Sequence, residues 1–394
     1  MLADQWEAVQ EQGVLTRAFD WEENLNYCLV GIRRAGKSYL LIQRIHELLK
    51  EGVPEDHILY VNFEYERLLE MTAADLHLLL EAQAEFAEDH KVTHVFLDEL
   101  QNVTGWEKFV RRLADSKYHV YVTGSNAKML SREIATTLGG RFMMRVVYPY
   151  DSSEYLMALG IDGSPRKQLT MKGKAAISSA FDAYLENGAF PELIDVHSKR
   201  MYLNNIYQRI YLGDIIARNG IGNEFAVRLL LKKIAESVCH PLSYSRLTRI
   251  VTGSGLAIGK MTVIKYVSYM QDSYLIFSIQ NIMGKLVDRE TTPKYYFMDT
   301  GLLRYGMDQV YYYERKIKVD FYSPEKKIAV QVCYFLHQSE ETLEREVGGL
   351  LKLNDFMKGQ SLYILTYSEE EEIERGEVTI HVLPMWKWLL AKEL

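Results

Sequence analysis

Short apolar runs alternate with amphipathic stretches over the first 150 residues of the chain. Runs of β-branched, aromatic and aliphatic residues predict five strands, at residues 27–30, 58–63, 92–97, 119–123 and 141–148. Apolar residues at helical spacing predict helices over residues 38–49 and 106–116, and residues 68–88 predict a pair of helices with polar faces. Strands that alternate with helices in this way predict a three-layer α/β fold with a parallel sheet between two layers of helices.

The alternation stops near residue 152, and the chain is predicted to be mostly helical to about residue 272. Residues 243–250 and 261–271 predict two short helices, and residues 275–279 and 295–298 predict a hairpin after them. Two helices, a turn and a hairpin are typical of a winged helix, whose second helix would bury Val263, Val267 and Met270. A helical lid with only a structural role is the alternative.

Strand-like alternation returns in the last part of the chain, over residues 316–334. A helix over residues 340–353 and a strand over residues 361–365 complete the prediction of a small α/β domain. At 394 residues the chain is too long for one ordinary core. We therefore expect three domains, at residues 1–150, 151–300 and 301–394.

Composition excludes several classes of protein. The chain is 48% hydrophobic and 25% charged, which is typical of a soluble globular protein. Its three cysteines, Cys28, Cys239 and Cys333, form no CxxC pair, so neither a disulfide framework nor a zinc knuckle is indicated. The first residues lack the pattern of a signal peptide, and no apolar run approaches the ~20 residues of a membrane helix. We expect a cytoplasmic protein without a membrane partner.

The formal net charge of −7 is distributed unevenly along the chain. Residues 228–265 contain seven basic residues and one acidic residue, a local charge of +6, whereas residues 337–377 contain eleven acidic and four basic residues, a local charge of −7. A basic segment that overlaps a predicted winged helix is typical of DNA-binding proteins. DNA is therefore a candidate partner for residues 228–265.

Residues 31–38 form a complete GxxxxGK[ST] loop between a predicted strand and a predicted helix. Glycines let such a loop turn tightly and aim its backbone N–H groups at phosphate oxygens, at the positive end of the following helix. Lys37 would reach the β and γ phosphates, and Ser38 would bind Mg²⁺. The predicted nucleotide-binding residues are Gly31, Arg33, Arg34, Ala35, Gly36, Lys37, Ser38 and Tyr39.

The third predicted strand ends in Asp98 and Glu99, which is the form of a Walker B strand. Asp98 would bind Mg²⁺, and Glu99 would orient and polarise the attacking water, because phosphoryl transfer depends on positioning and charge neutralisation. An acidic strand end alone is weak support, but about 60 residues after a phosphate loop it is strong. The next strand ends in Thr123, Ser125 and Asn126, which would lie near the γ phosphate or, alternatively, cap a helix over residues 127–130.

These motifs together resemble a known family. They include residues 31–38, 97–103, 105–107, 123–126 and 138–141, and the later segments 188–192, 211–215, 295–302 and 331–334. In this combination the chain resembles the bacterial and archaeal AAA+ ATPases of the AAA_14 family, which carry a C-terminal domain of unknown function, DUF4143. The resemblance covers nearly the whole chain and implies ATP and Mg²⁺ as ligands. The NKxD string that recognises guanine is absent from the sequence.

The resemblance also implies roles for individual residues. Asn126 takes the sensor position, and Arg141 is similar to the family's arginine after the glycine pair, which would act as an arginine finger on the nucleotide of a neighbouring subunit. That role requires a homo-oligomer. The alternative is that Arg141 pairs with an acidic residue of its own chain. The predicted catalytic residues are Lys37, Glu99, Asn126 and Arg141, and the predicted metal ligands are Ser38 and Asp98.

The C-terminal part of the family resembles a PD-(D/E)xK nuclease core, whose metal-dependent cleavage needs an acidic pair and a lysine near the scissile phosphate. Asp320 matches the strand acid, but the ExK element reads Gln331-Val332-Cys333. An amide replaces the metal-binding carboxylate, and a thiol replaces the lysine. The resemblance therefore implies a degenerate nuclease fold that serves binding or assembly, and we do not expect nuclease activity.

Three functional hypotheses follow. The first is an AAA+ ATPase that couples hydrolysis to conformational change or assembly, with an association with DNA as an option. The second is a nucleotide-dependent switch or scaffold with slow turnover that recruits a protein partner. The third is a DNA-binding regulator in which the ATPase acts as a sensor.

Overall fold

A computed structural model of the protein describes residues 1–87, 89, 91–125, 138, 140–237, 240–299 and 318–391, and the backbone of residues 311–314. These residues fall into two units. The first unit comprises Met1–Tyr150, Phe190–Arg218 and Gln271–Leu275, and the second comprises Asp151–Ala189, Asn219–Met270 and Ile276–Leu394. The division into three domains stays a prediction.

The first unit is built on a five-stranded parallel sheet. Its strands are β1 (Asn26–Val30), β2 (Ile58–Asn62), β3 (His94–Asp98), β4 (His119–Gly124) and β5 (Phe142–Val146), in the spatial order β2-β3-β4-β1-β5. Strand β1 lies between β4 and β5, and its last four residues are fully buried. Burial on both faces is the property of a parallel sheet that helices cover. The predicted α/β fold is confirmed.

The described helices are, in chain order, α1 (Leu2–Glu11), α2 (Lys37–Lys50), α3 (Leu76–Phe86), α4 (Glu107–Asp115), α5 (Ser152–Ala158), α6 (Pro165–Gln168), α7 (Met171–Asn187), α8 (Lys199–Gln208), α9 (Glu224–Glu236), α10 (Tyr244–Gly253), α11 (Lys260–Asp272), α12 (Leu286–Thr291), α13 (Glu340–Phe356) and α14 (Met385–Leu390). Helix α8 continues as a π-helix over Arg209–Ala217. Across the described ranges, none of the helices has the length and apolarity that a membrane crossing requires.

The predicted pair of helices over residues 68–88 was wrong, because α3 is the only α-helix in the part of this segment that the structure describes, residues 68–87. The Thr72 backbone N–H donates to the Asp75 carboxylate at 3.0 Å, and the Thr72 hydroxyl donates to the same oxygen at 2.6 Å. Short polar side chains that bond to nearby backbone compete with helix formation. The first predicted helix is therefore replaced by turns.

In the second unit, α10 and α11 precede an antiparallel pair formed by β6 (Ile276–Ile279) and β7 (Lys294–Phe297). Val263, Val267 and Met270 on α11 are fully buried, as predicted, whereas Lys260 and Lys265 are exposed. The two helices and the hairpin are therefore present in the predicted order. The assignment of this arrangement as a winged helix stays a prediction.

The C-terminal sheet has six strands in the order β12-β13-β11-β10-β9-β8. They are β8 (Tyr311–Glu314), β9 (Lys318–Ser323), β10 (Ile328–Val332), β11 (Ser361–Thr366), β12 (Glu371–Arg375) and β13 (Val378–Pro384). Helix α13 contributes Val347, Leu350 and Leu353 to the core of this sheet. The sequence pattern did not predict β12, because it is a charged edge strand in which only Ile373 is buried.

Candidate nucleotide-binding site

The GxxxxGK[ST] loop joins the end of β1 to the start of α2. Gly31 has φ +146°, and a Cβ atom at this position would lie 2.1 Å from the carbonyl oxygen of Val147. Gly36, in the left-handed region at φ +92°, directly precedes α2. The loop therefore requires glycine at Gly31 for space and favours it at Gly36 for backbone conformation.

Lys37 lies inside this loop and is almost completely buried. Its Nζ donates hydrogen bonds to the carbonyl oxygens of Gly31, at 3.2 Å, and of Ile32, at 3.0 Å. Burial lowers the pKa of Lys37, while the charges of Glu99 and Asp98 act in the opposite direction. The ammonium group is therefore held inside the loop by two backbone carbonyl oxygens.

Asp98 ends β3 and is fully buried. Its carboxylate accepts hydrogen bonds from the hydroxyl groups of Thr123 and of Tyr60, the latter at 3.1 Å, and the nearby Ser38 side chain acts with them to lower its pKa. Burial raises the pKa of the Asp98 carboxyl, and the neighbouring Glu99 charge raises it further. A carboxylate and a serine hydroxyl that meet in this way are the hard oxygen ligands that fit Mg²⁺.

Glu99 follows β3 with its backbone in the left-handed region, at φ 52°. Its backbone N–H donates to the hydroxyl oxygen of Thr123 at 2.8 Å, and its carboxylate accepts a hydrogen bond from the Gln101 side chain. Non-glycine residues in this conformation are uncommon and cluster at functional sites. Thr123 therefore fixes both Asp98 and Glu99, because it bonds to each of them.

A cavity of about 410 Å³ lies over the loop. This volume is within the range of small-molecule sites, ~300 to 1,000 Å³. Three of the predicted chemical groups line it: Lys37, Ser38 and Glu99. Other lining residues come from the N-terminal segment, from the loop and α2, from the segments that follow β2 and β5, and from residues 190–218; they include Leu15, Arg17, Arg33, Arg34, Tyr39, Gln43, Glu64, Tyr150, Pro191, Glu192, Asp195 and Arg209.

The two loop arginines pair with carboxylates of the 190–218 segment, which belongs to the same unit. Arg33 donates from Nε and from a terminal nitrogen to Asp214, at 2.5 and 3.0 Å. Arg34 pairs with Glu192 and donates to the Tyr202 hydroxyl at 2.7 Å. The loop is thus tied to this helical segment through charge-assisted hydrogen bonds.

Arg141 lies away from the cavity of its own chain. It directly precedes β5, whose first residue is level with Asn26 at the start of β1, whereas the loop follows the other end of β1. The separation along the strand is about 13 Å, from a rise of ~3.3 Å per residue. The Arg141 side chain pairs with Asp115, as the alternative interpretation expected. Asn126 lies outside the described residues.

Comparisons with known proteins agree with this site. Residues 23–156 match a family described as an AAA domain, AAA_14. An uncharacterized protein of Haemophilus influenzae is 30% identical over 283 residues, which cover 70% of this chain and 68% of that protein. The chain belongs to the AAA-domain family. This AAA-domain protein is also 28% identical to the uncharacterized protein MJ1544 of Methanocaldococcus jannaschii, over 92% of this chain and 88% of that protein.

A central segment of the AAA-domain protein matches a domain of unknown function other than the one implied by the resemblance. Residues 178–309 match DUF8612 rather than DUF4143. Among solved structures, the Aeropyrum pernix ORC1 protein in complex with DNA is similar with a TM-score of 0.32 and 14% identity, over 71% of this chain and 84% of that chain. A score this low supports no inference about function.

The nuclease-like positions of the AAA-domain protein lie on β9 and β10. The Gln331 side chain accepts from the backbone N–H of Asp320 at 2.8 Å and donates to the Lys318 carbonyl at 3.3 Å. The Asp320 carboxylate in turn accepts from the backbone N–H of Val332 at 3.1 Å. The Gln331 side chain thus links β10 to β9 through both of its polar atoms. Among the described residues, no group of three or more His, Cys, Asp or Glu side chains is arranged to hold a metal ion.

Several residues of the site were missed by the sequence analysis. Tyr60 and Gln101 hold the two acidic side chains, and Arg17 donates to the carbonyl oxygens of Ala35, at 3.0 Å, and of Tyr148, at 3.0 Å. Asp214 pairs with Arg33. Gln101 and Asp214 had a signal in the sequence, since each lies in one of the segments that carry the family resemblance, at residues 97–103 and 211–215.

Proposed function

We propose that this AAA-domain protein binds and hydrolyses ATP and couples its nucleotide state to a conformational change or to assembly. One observation carries the proposal: Lys37, Ser38 and Glu99 line a single cavity, and Asp98 directly precedes Glu99 at the end of β3. Phosphoryl transfer needs a cation that binds the phosphates, a metal site and a group that orients water, and these residues are of the types that supply them. They lie at the carboxyl ends of β1 and β3, with β4 between these two strands.

Each residue has a proposed role. The Lys37 ammonium exchanges its two loop carbonyls for β and γ phosphate oxygens, and the loop N–H groups bind the same phosphates. Ser38 and Asp98 hold Mg²⁺, which when bound neutralises phosphate charge. Glu99 accepts a hydrogen bond from the attacking water and orients it toward the γ phosphate. Thr123 and Tyr60 keep the acidic side chains in place.

The test compares phosphate release and ATP affinity in the wild type, Lys37→Ala and Glu99→Gln. We expect Lys37→Ala to lose ATP binding, and Glu99→Gln to keep binding but lose turnover by roughly two to three powers of ten. Glu66→Gln is the matched control, because it makes the same change at an exposed carboxylate that does not line the cavity. Normal turnover in Glu99→Gln would contradict the proposed role. Competition by GTP measures the preference for adenine.

The ATPase could serve as a turnover-driven machine or as a slow switch that recruits a protein partner. Measurements of the mass of the assembly in different nucleotides distinguish these two uses. The wild type, Lys37→Ala and Glu99→Gln are compared with ATP, with ADP and without nucleotide. A switch reaches its ATP-bound mass without turnover, so Glu99→Gln behaves as the wild type does in ATP. A turnover-driven machine is instead trapped by Glu99→Gln in a state that the wild type only passes through.

A second proposal is that the protein associates with DNA through residues 228–265. Six of the seven basic side chains in this segment are exposed: Arg228, Lys232, Arg246, Arg249, Lys260 and Lys265. They lie on α9, α10 and α11, next to a hairpin, which is the order of elements in a winged helix. Exposed cations on such an element supply the phosphate contacts from which most affinity for DNA arises.

The DNA proposal is tested by the salt dependence of duplex binding. We expect Lys260→Glu with Lys265→Glu to weaken binding and to reduce the slope of log affinity against log salt by about 0.9 for each phosphate that the protein no longer neutralises. Lys358→Glu is the control, because it makes the same charge change at an exposed lysine of the acidic segment. A DNA affinity that changes neither with salt concentration nor in the double variant would contradict the proposal.

Arg141 is proposed to act on the nucleotide of a neighbouring subunit in a homo-oligomer. The proposal is supported by its place in the sequence motif and by its exposed position outside its own cavity. The test mixes two variants of the protein, Arg141→Ala and Lys37→Ala, and measures ATP hydrolysis. We expect each variant to be inactive alone. A mixed oligomer regains part of the activity only if Arg141 serves a neighbour.

A further inference from the structure

Asp214 is a buried carboxylate that binds two arginines. It lies in the π-helical stretch Arg209–Ala217, and its side chain is only 2% exposed. Arg33 of the phosphate loop contacts it at 2.5 and 3.0 Å, and Arg218 of the following turn contacts it at 3.0 Å. A buried charge with such partners is held firmly, because removal of one partner leaves an uncompensated charge. π-Helical stretches are rare and occur frequently at functional sites.

The contact with Asp214 decides which edge of the Arg33 guanidinium faces the cavity. Nε and one terminal nitrogen of Arg33 form the edge that Asp214 binds. The other terminal nitrogen, NH1, points to Glu64, at 3.5 Å. Since the guanidinium is a rigid planar fork, fixing one edge also fixes the direction of the remaining donors. Arg33 and Glu64 both line the cavity, so this second edge is the one presented there.

The contact of Arg33 with Glu64 is the weaker of its two ion pairs. Glu64 is 46% exposed, whereas the Asp214 side chain is buried, and the distance to Glu64 is longer. Exposed ion pairs contribute little, because water and ions screen them. A phosphate oxygen therefore replaces Glu64 at low cost, while Asp214 stays bound.

The surroundings of Arg33 also indicate which phosphate it meets. Arg33 shares the cavity with Glu99, and the charge of Glu99 is among those that raise the pKa of Arg33 against the lowering by burial. Glu99 is the proposed water-orienting residue, so it lies at the γ end of the bound nucleotide. Arg33 is therefore on the γ side of the loop.

We propose that Asp214 is a positioning residue that aims Arg33 at the γ phosphate of ATP, so that the chain carries within its own loop a cation that distinguishes ATP from ADP. The inference rests on the proposed function. Asp214 touches no nucleotide itself and acts only through Arg33. It thereby couples the 190–218 segment to the presence of the γ phosphate.

The test measures affinities for ATP and for ADP in four proteins: the wild type, Arg33→Ala, Asp214→Asn and the double variant. We expect Arg33→Ala to weaken ATP binding by roughly ten- to a hundredfold and ADP binding by less than about threefold, because only ATP has the charged group that Arg33 meets. Asp214→Asn should reduce the preference for ATP in the same direction. The double variant should lose no more than Arg33→Ala alone, since Asp214 acts through Arg33.

A merely structural role of Asp214 gives a different result. Asp214→Asn would then weaken ATP and ADP equally, or its effect would multiply with that of Arg33→Ala, and either outcome overturns the inference. If Asp214→Asn does not fold, Asp214→Glu and Arg33→Lys replace it. Asp214→Glu keeps the carboxylate and should retain part of the ATP preference, whereas Arg33→Lys loses the planar fork and should lose most of it.

The two levels of the proposal fail separately. If the wild type does not bind ATP, the proposed function is wrong. If the wild type binds ATP, Lys37→Ala abolishes binding and Arg33→Ala keeps the preference for ATP over ADP, only the inference about Asp214 and Arg33 is wrong.

Discussion

Replacement of Thr123 by valine tests how the acidic end of β3 is held. Thr123 is fully buried, and its hydroxyl donates to the Asp98 carboxylate while it accepts from the backbone N–H of Glu99 at 2.8 Å. Valine has nearly the same volume as threonine, so the substitution removes both hydrogen bonds without opening a large cavity. The Glu99 N–H would then face a methyl group.

The size of the effect follows from the two bonds. An orphaned buried N–H costs about 1–3 kcal/mol, and a lost hydrogen bond to a carboxylate costs about 1–3 kcal/mol. We therefore expect Thr123→Val to lower the free energy of unfolding by about 2 to 6 kcal/mol. Thr123→Ser keeps the hydroxyl and loses one methyl group, so it should cost only about 1 kcal/mol. The difference between the two variants isolates the hydroxyl.

Urea unfolding, followed by tryptophan fluorescence and circular dichroism, measures the difference in stability between the variants. Phosphate release should fall in parallel, by roughly a hundredfold in Thr123→Val, because small displacements of a catalytic group carry large losses in rate. Equal stability and equal turnover in the valine and serine variants would refute the reasoning. It would mean that neighbouring groups, and not Thr123, hold Asp98 and Glu99.

Three further predictions concern other parts of the chain. Gly31→Ala should abolish nucleotide binding or folding, because its Cβ would lie 2.1 Å from a backbone carbonyl oxygen at φ +146°; binding and unfolding assays check this. Burial and the stacked ring of His119 lower the pKa of His94 from 6.5 to about 4, so unfolding titrations should show about 1 to 2 kcal/mol of stability lost as pH falls from 6.5 toward 4. Gln331→Glu should destabilise the C-terminal sheet by about 1–3 kcal/mol in urea unfolding, because a carboxylate would face the Lys318 carbonyl oxygen.

Each of these predictions has a control. Gly222→Ala makes the same change where a Cβ meets nothing within 4 Å, so it should bind nucleotide normally. His94→Gln should remove its share of the loss in acid, because the neutral side chain takes up no proton; an unchanged pH profile would assign that loss to other groups. Gln338→Glu changes an exposed glutamine between β10 and α13, and a penalty equal to that of Gln331→Glu would argue against the strand-joining role.

Much of the first unit follows from local pattern. Apolar runs of four to six residues predicted the first four strands of the parallel sheet, because strands buried on both faces are apolar almost throughout, and a longer run with two arginines, residues 141–148, predicted the edge strand β5. The GxxxxGK[ST] loop was recognisable in the sequence, because the glycines that its backbone geometry requires lie within eight consecutive residues. Asp98 and Glu99 followed from their place at a strand end, where the loops of a parallel sheet meet.

Other features depend on contacts between distant parts of the chain. Tyr60 lies 38 residues before Asp98, and Asp214 lies 181 residues after Arg33. No local sequence pattern therefore predicts either of these hydrogen-bonded pairs. The charged strand β12 forms because β13 provides its partner, although its own sequence has little strand character.

The sequence by itself predicted the GxxxxGK[ST] loop and the acidic residues at the end of β3, because both depend on short segments with fixed geometry. Tertiary structure decided how those groups are aimed. It placed the Thr123 hydroxyl between Asp98 and Glu99 and paired Arg33 with Asp214. It also placed Arg141 at the amino-terminal end of β5, whereas the loop follows the carboxyl end of the neighbouring strand β1. Direction and pairing of side chains depend on how strands and helices from distant parts of the sequence meet, and that is settled only when the chain folds.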